Sequence, residues 1–176
     1  MDLPGISSDI LSRFAAIVGP ANVLCSAEDI APRLVENRGL YRGASPMILK
    51  PGSTREVADI LQLATETRTP IVPQTGNTGL VGGQVPRESG TDLILSLERM
   101  NRILDVDPVA NVLAAEGGAI LAEVQHAAQS IQRLFPLSLG SEGSCRIGGH
   151  LSTNTGGTAV LADQVPRERE SGPIRR

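Results

Sequence analysis

An α+β sheet domain is the fold class this sequence predicts. Three observations carry it: short aliphatic runs alternate with helical patterns, one pair of runs reads as a hairpin, and no repeat of solenoid length occurs. Ser7 and Ser8 cap a first helix with apolar positions at Ile10, Leu11, Phe14, Ile17 and Val18, and Gly19-Pro20 ends it. Residues 22–45 have weak periodicity and read as irregular. Met47-Ile-Leu-Lys50 is a short strand stopped by Pro51-Gly52. Ser53-Thr-Arg-Glu56 is a capping box, followed by Val57, Ile60, Leu61 and Ala64 at helical spacing. Pro70-Ile-Val-Pro73 is a second strand, and the three elements have the size of a parallel crossover. Leu93-Ile-Leu-Ser-Leu97 reads as a buried strand. Residues 102–106 and 112–115 form an antiparallel hairpin around 107–111. Ile120, Leu121, Val124, Ala128 and Ile131 line the apolar stripe of a later helix, and beyond Leu134 the chain turns glycine-rich.

Composition excludes several classes of function. The 176 residues are 40% hydrophobic and 20% charged, enough to bury a core without disulfides or a structural metal. Aromatic residues make up 2%, with Tyr41 the single tyrosine and Phe14 and Phe135 far from it, so stacking platforms for single-stranded nucleic acid are missing. A net charge of −3 argues against a nucleic-acid or anionic-membrane partner. Cys25 and Cys145 make neither a disulfide framework nor a zinc site. His126 falls on the polar side of its helix. The N-terminus lacks a secretory pattern and no run reaches the roughly 18 apolar residues of a membrane span, so a cytoplasmic protein is expected.

Thirteen of the nineteen glycines lie between Gly76 and Gly157, in two clusters. The first, Pro73-Gln-Thr-Gly-Asn-Thr-Gly-Leu-Val-Gly-Gly83, follows a strand directly and carries no charged side chain. Glycines let successive N–H groups converge on an anion, and Asn77 and Thr78 add side-chain donors. No lysine follows the glycines, so a Walker A loop is excluded. Gly76, Gly79 and Gly82 sit three apart, which is not the Rossmann spacing. The second cluster runs from Leu137 through Gly-Ser-Glu-Gly-Ser-Cys-Arg-Ile-Gly-Gly (140–149) into Ser-Thr-Asn-Thr-Gly-Gly (152–157), with a strand-like Leu151 between. Two such loops suit a long, phosphate-containing ligand.

These two motifs, in this order and spacing, closely resemble the FAD-linked oxidases of the vanillyl-alcohol-oxidase or PCMH type. Within that family the D-2-hydroxyglutarate, D-lactate and glycolate dehydrogenase branch is the most similar. The resemblance covers residues 44–161 and includes Asp92-Leu-Ile-Leu-Ser-Leu-Glu-Arg-Met-Asn-Arg102. It implies a PCMH-type FAD-binding domain of two subdomains, the second incomplete here, with residues 1–43 as an N-terminal helix and irregular lead-in. FAD would lie between the subdomains. Gly76, Asn77, Thr78 and Gly79 would line its pyrophosphate, flanked by Pro73 and Leu80. Gly140, Ser141, Gly143, Ser144, Ile147, Gly148 and Gly149, with Asn154 and Gly157, would approach the flavin and ribityl side. Backbone donors near the ring would steady its reduced form.

The sequence departs from the family at two places: Thr75 replaces a usual glycine, and His150 stands where asparagine is common. Relatives that attach FAD through histidine use a different position, so a non-covalent FAD is implied. Cys145 reads as a small packing residue. The family's substrate domain, which carries the catalytic base and substrate arginines, has no counterpart here. No catalytic or metal-binding residue is therefore assigned, and the chain is expected to be inactive alone. Residues 162–176 depart from the family and are half charged over 163–176, which predicts a disordered tail, read as a frameshifted or prematurely ended frame. The implied activity is oxidation of a small D-2-hydroxy acid to the 2-keto acid. A non-catalytic FAD-binding or assembly subunit, or an inactive remnant, is the alternative. The oligomeric state is not indicated.

Overall fold

The structure is a computed structural model and describes residues 6–159. It divides into two compact units, Met1–Asn101 and Arg102–Arg176. The tail expected over 162–176 lies outside the described residues.

The first unit opens with α1 (Ser8–Val18), whose N-terminus is capped by the Ser7 side chain accepting from Ile10 N. Residues 22–45, expected to be irregular, instead hold β1 (Val23–Leu24), α2 (Ala27–Ile30) and a 3-10 turn (Ala31–Arg33). Elements of two to four residues are too short to leave a period, and Ser26, accepting from Asp29 N, supplies the α2 cap. Then come β2 (Ile48–Leu49), α3 (Thr54–Thr67), β3 (Ile71–Gln74) and β4 (Leu93–Ser96). In the capping box, Ser53 accepts from Glu56 N, but Glu56 reaches past it to the N–H of Gly52 at 2.8 Å.

The sheet order is β1-β2-β4-β3, with β4 parallel to both its neighbours and β1 antiparallel to β2. The strand–helix–strand unit is present, yet β2 and β3 are not adjacent, because β4 lies between them. All four residues of β4 are buried, as suits a strand with both faces covered. Its alternation is a pure period of two: Leu93 and Leu95 join Phe14, Leu49, Ile60 and Leu63 on one face, while Ile94 joins Ile30 and Ile48 on the other.

Just ahead of β4, Asp92 is only 2% exposed and accepts from Arg87 N at 2.8 Å and from the Arg87 guanidinium at 2.6 Å. Burial pushes its carboxyl up, but the Arg87 hydrogen bonds and charge outweigh this and hold it below the usual aspartate range. A depressed folded pKa stabilises the fold above the unfolded value of about 3.9, and that contribution fades as pH falls through the folded value. Asp92→Asn is expected to cost about 2 kcal/mol at neutral pH. Urea unfolding should show the gap from wild type shrinking below about pH 4. A gap unchanged at low pH would refute the assignment.

The second unit begins with a hairpin of β5 (Ile103–Asp107) and β6 (Val112–Ala115), irregular in register between Ile103 and Asp105. Asp107 holds its turn by accepting from Val109 N at 2.8 Å and Ala110 N at 2.9 Å. Arg102 and Glu116 pair at 2.7 Å at the other end. α4 (Leu121–Ser130) follows, then a long loop, α5 (Ile147–Thr153) and a 3-10 turn (Gly157–Ala159). Leu121, Leu137 and Cys145 form a buried cluster in this unit, with Phe135, Leu139 and Ile147 against it. Leu151 is no strand residue: it lies in α5 and is 79% exposed. Cys145 is buried among aliphatic groups, and His126 is exposed.

Candidate functional site

In the first unit β3 delivers the chain into the glycine loop at its C-terminal end, the side of a parallel sheet where loops meet ligands. Gln74, the last strand residue, is buried, and its Nε2 donates to Arg33 O at 2.9 Å and to Gln84 O at 3.0 Å. One carboxamide therefore ties the start of the loop to its end. Thr75 lies outside the positive-φ set, so a side chain here in place of glycine costs no backbone strain. Asn77 does take a left-handed φ of 53°, which asparagine tolerates. Its Nδ2 donates to Val35 O at 2.9 Å and to Pro32 O at 3.3 Å, and its Oδ1 is buried with no partner among the described residues.

The loop's donors are available. Among the described residues no backbone carbonyl accepts an N–H from residues 77–83. Gly76, Asn77 and Thr78 are half-buried, whereas Pro73, Gly79 and Leu80 are exposed. Gln84 Nε2 donates to Gly79 O at 2.8 Å, closing the loop on itself. Five of the six expected residues of the first motif, Gly76 through Leu80, thus lie in one loop with unspent donors, whereas Pro73 belongs to β3 and has no N–H to offer.

In the second unit the expected residues divide. Gly140, Ser141 and Gly143 keep N–H groups that no carbonyl of the described residues accepts. A Cβ placed on Gly140 or Gly143 meets nothing within 4 Å, and neither has a positive φ. The chain's own packing gives no reason for glycine at these two positions. Elsewhere the donors are spent: Ser144 N on Ser141 O at 2.9 Å, Ile147 N on Ala119 O at 3.0 Å, Gly148 N on Gly117 O at 2.7 Å and Gly149 N on Arg146 O at 3.0 Å. Asn154 is the left-handed C-cap of α5, its N–H directed to His150 O. Gly157, with φ of +59°, presses so closely on Ser138 O that any side chain would collide.

Two titratable groups lie in the second motif. Glu142 accepts from Ser138 Oγ at 2.7 Å and Leu139 N at 3.1 Å, and these bonds hold its carboxyl below the ordinary glutamate range. Burial pushes the His150 imidazole down toward its neutral form, and its Nε2 has no hydrogen-bond partner among the described residues.

Sequence reasoning missed the residues beneath the first loop. Arg33 donates to Thr75 O at 3.3 Å and to Glu98 at 2.6 Å, and Glu98 also pairs with Lys50 at 3.2 Å. Burial raises the Glu98 carboxyl, but Lys50 and Arg33 together hold it below the usual range. Arg38 donates to Leu80 O, and the Tyr41 ring lies 2.7 Å from where a Cβ on Gly82 would stand. Lys50 and Tyr41, each the only residue of its type, were the available signal.

A ligand fitting the first loop needs anionic oxygens for its N–H groups, and one fitting Gly140 and Gly143 needs to approach bare backbone. A diphosphate supplies oxygens of the first kind, and a planar ring is flat enough for the second approach. The family model for the FAD binding domain matches residues 45–167, and the chain belongs to that family. Among curated relatives it is 38% identical over 156 residues to the mitochondrial D-2-hydroxyglutarate dehydrogenase of Arabidopsis thaliana and 37% identical to that of Bos taurus. Each match covers 89% of this chain and 28% of the relative, so the chain spans a little over a quarter of their length. Among solved structures, an alkyldihydroxyacetonephosphate synthase superposes with a TM-score of 0.75 at 20% identity, over 86% of this chain and 30% of the other. p-Cresol methylhydroxylase superposes with a TM-score of 0.59 at 20% identity, over 72% and 26% of the two chains. The PCMH-type fold expected from the motifs is the fold observed, and FAD is the cofactor of the family.

The cytoplasmic placement is corrected by the same relatives, whose names place them in mitochondria. No helix among the described residues is long and apolar enough to cross a membrane, and that feature does not separate one aqueous compartment from another.

Proposed function

We propose that this chain is the FAD-holding portion of a flavoprotein that oxidises a small D-2-hydroxy acid to the 2-keto acid, with D-2-hydroxyglutarate as the first substrate to test. The observations that carry this reading are made in each unit by itself: unspent backbone donors at 77–83 in the first and open glycines at 140 and 143 in the second. The two relatives named above, both called D-2-hydroxyglutarate dehydrogenases, support the choice of substrate, as they support a mitochondrial setting.

FAD, when bound, supplies the hydride acceptor for oxidation at the substrate's α-carbon. The chain's own part is binding and orientation. N–H groups of Gly76, Asn77, Thr78 and Gly79, between Pro73 and Leu80, would hold the diphosphate. N–H groups of Gly140, Ser141 and Gly143 would face the flavin side, where fixed dipoles favour the negative charge of the reduced ring. Ser144, Ile147, Gly148, Gly149, Asn154 and Gly157 would complete that wall by shape, since the backbone donors of the first four are already engaged. Binding is non-covalent: His150 lies within α5 with its Nε2 buried and is not assigned as an attachment point.

The test is to purify the chain with FAD, remove free cofactor, and record the flavin spectrum before and after acid precipitation. Flavin that copurifies and is released to the supernatant supports the proposal. A chain that retains none contradicts it, and flavin remaining in the pellet contradicts the non-covalent part. Turnover of D-2-hydroxyglutarate, D-lactate and glycolate, measured in the same preparation, ranks the substrates.

A further inference from the structure

The glycine loop does not stand alone: it is gripped from one side by residues 32–43, a segment outside the matched family model. Asn77 Nδ2 reaches Pro32 O and Val35 O, Gln74 Nε2 reaches Arg33 O, Arg38 reaches Leu80 O, and the Tyr41 ring packs on Gly82. The segment is itself braced. Buried Glu36 accepts from the N–H groups of Arg38, Leu40 and Tyr41, Val35 bridges to Arg42, and Gly43 N donates to Leu34 O at 2.8 Å. Both ends and the middle of the loop are therefore tied to a braced neighbour, while no backbone carbonyl among the described residues accepts the N–H groups of 77–83.

We infer that residues 32–43 are a clasp that holds the glycine loop in its ligand-ready shape, with Arg38 and Tyr41 as positioning residues for the dinucleotide. A loop ordered in advance pays less conformational entropy when the ligand arrives, so the clasp raises affinity without touching the ligand. The effect on affinity rests on the FAD reading above, whereas the grip itself does not.

Two measurements on the full chain separate the two. Arg38 is exposed, so Arg38→Ala removes one hydrogen bond without opening the core. Flavin fluorescence titration should show FAD affinity about fivefold weaker, the equivalent of about 1 kcal/mol, with an unchanged melting temperature. Arg38→Lys, which keeps a donor, should recover most of the loss. Tyr41 is the single tyrosine and there is no tryptophan, so the intrinsic emission reports the clasp alone. Acrylamide should quench it more readily in Arg38→Ala than in wild type, with or without FAD. Equal FAD affinity in wild type and Arg38→Ala would overturn the positioning role. If wild type binds no FAD, the functional reading fails and the clasp is judged on quenching, where equal quenching would overturn it.

Discussion

Gly43→Ala is expected to destabilise the first unit by about 3 kcal/mol, the upper end of the usual cost of overpacking. An added Cβ would fall inside the van der Waals surface of Pro86 O, a backbone atom that cannot swing aside. Both partners are pinned. Gly43 N donates to Leu34 O at 2.8 Å, Ala44 N donates to Arg87 O at 3.1 Å, and Pro86 is buried. Relief would have to come from separating residues 32–43 from the 82–87 turn, which loosens the clasp. Urea unfolding should therefore show a lower midpoint, and Tyr41 emission should become more quenchable in the folded baseline. An alanine variant as stable as wild type would show that the two backbones do not approach as described.

Gly148→Ala is expected to cost about 2 kcal/mol, with a sign opposite to that of an ordinary helix position. Alanine in the middle of a helix normally gains about 0.5–1 kcal/mol over glycine. Here a Cβ on Gly148 would lie 2.8 Å from Gly117 O, the same oxygen that accepts the Gly148 N–H at 2.7 Å. The close approach that makes the hydrogen bond leaves no room for a methyl group. Thermal unfolding compared with Gly149→Ala, whose N–H stays within its own turn, is the check. A stabilised Gly148→Ala would contradict the packing assigned to α5.

These glycines show what sequence could and could not reveal. The starts of α1 and α3 were legible because capping is local: Ser7 and Ser53 each accept from a backbone N–H three residues on, whereas α2, capped in the same way by Ser26, is too short to show a period and α5 has no side-chain cap. Strand order was not legible. Insertion of β4 between β2 and β3 is decided by burial of both its faces, a long-range property. The two glycine motifs were visible as composition, but their division of labour was not. Gly148 and Gly157 are glycines because the chain packs against itself there, while Gly140 and Gly143 face open space. The clasp escaped notice because Arg33, Arg38 and Tyr41 act across 40 residues or more, through carbonyls and ring faces that leave no spacing.

The proposed function makes Gly140 and Gly143 bare for a ligand's sake. Its most direct test is FAD titration, by flavin fluorescence, of wild type beside the double variant Gly140→Ala/Gly143→Ala, with unfolding curves on both. Unfolding should agree within about 0.5 kcal/mol, as for substitutions that touch nothing. FAD affinity should fall at least tenfold, about 1.4 kcal/mol. Saturable binding by wild type with an unchanged affinity in the double variant would contradict the claim, and so would a loss of affinity matched by an equal loss of stability.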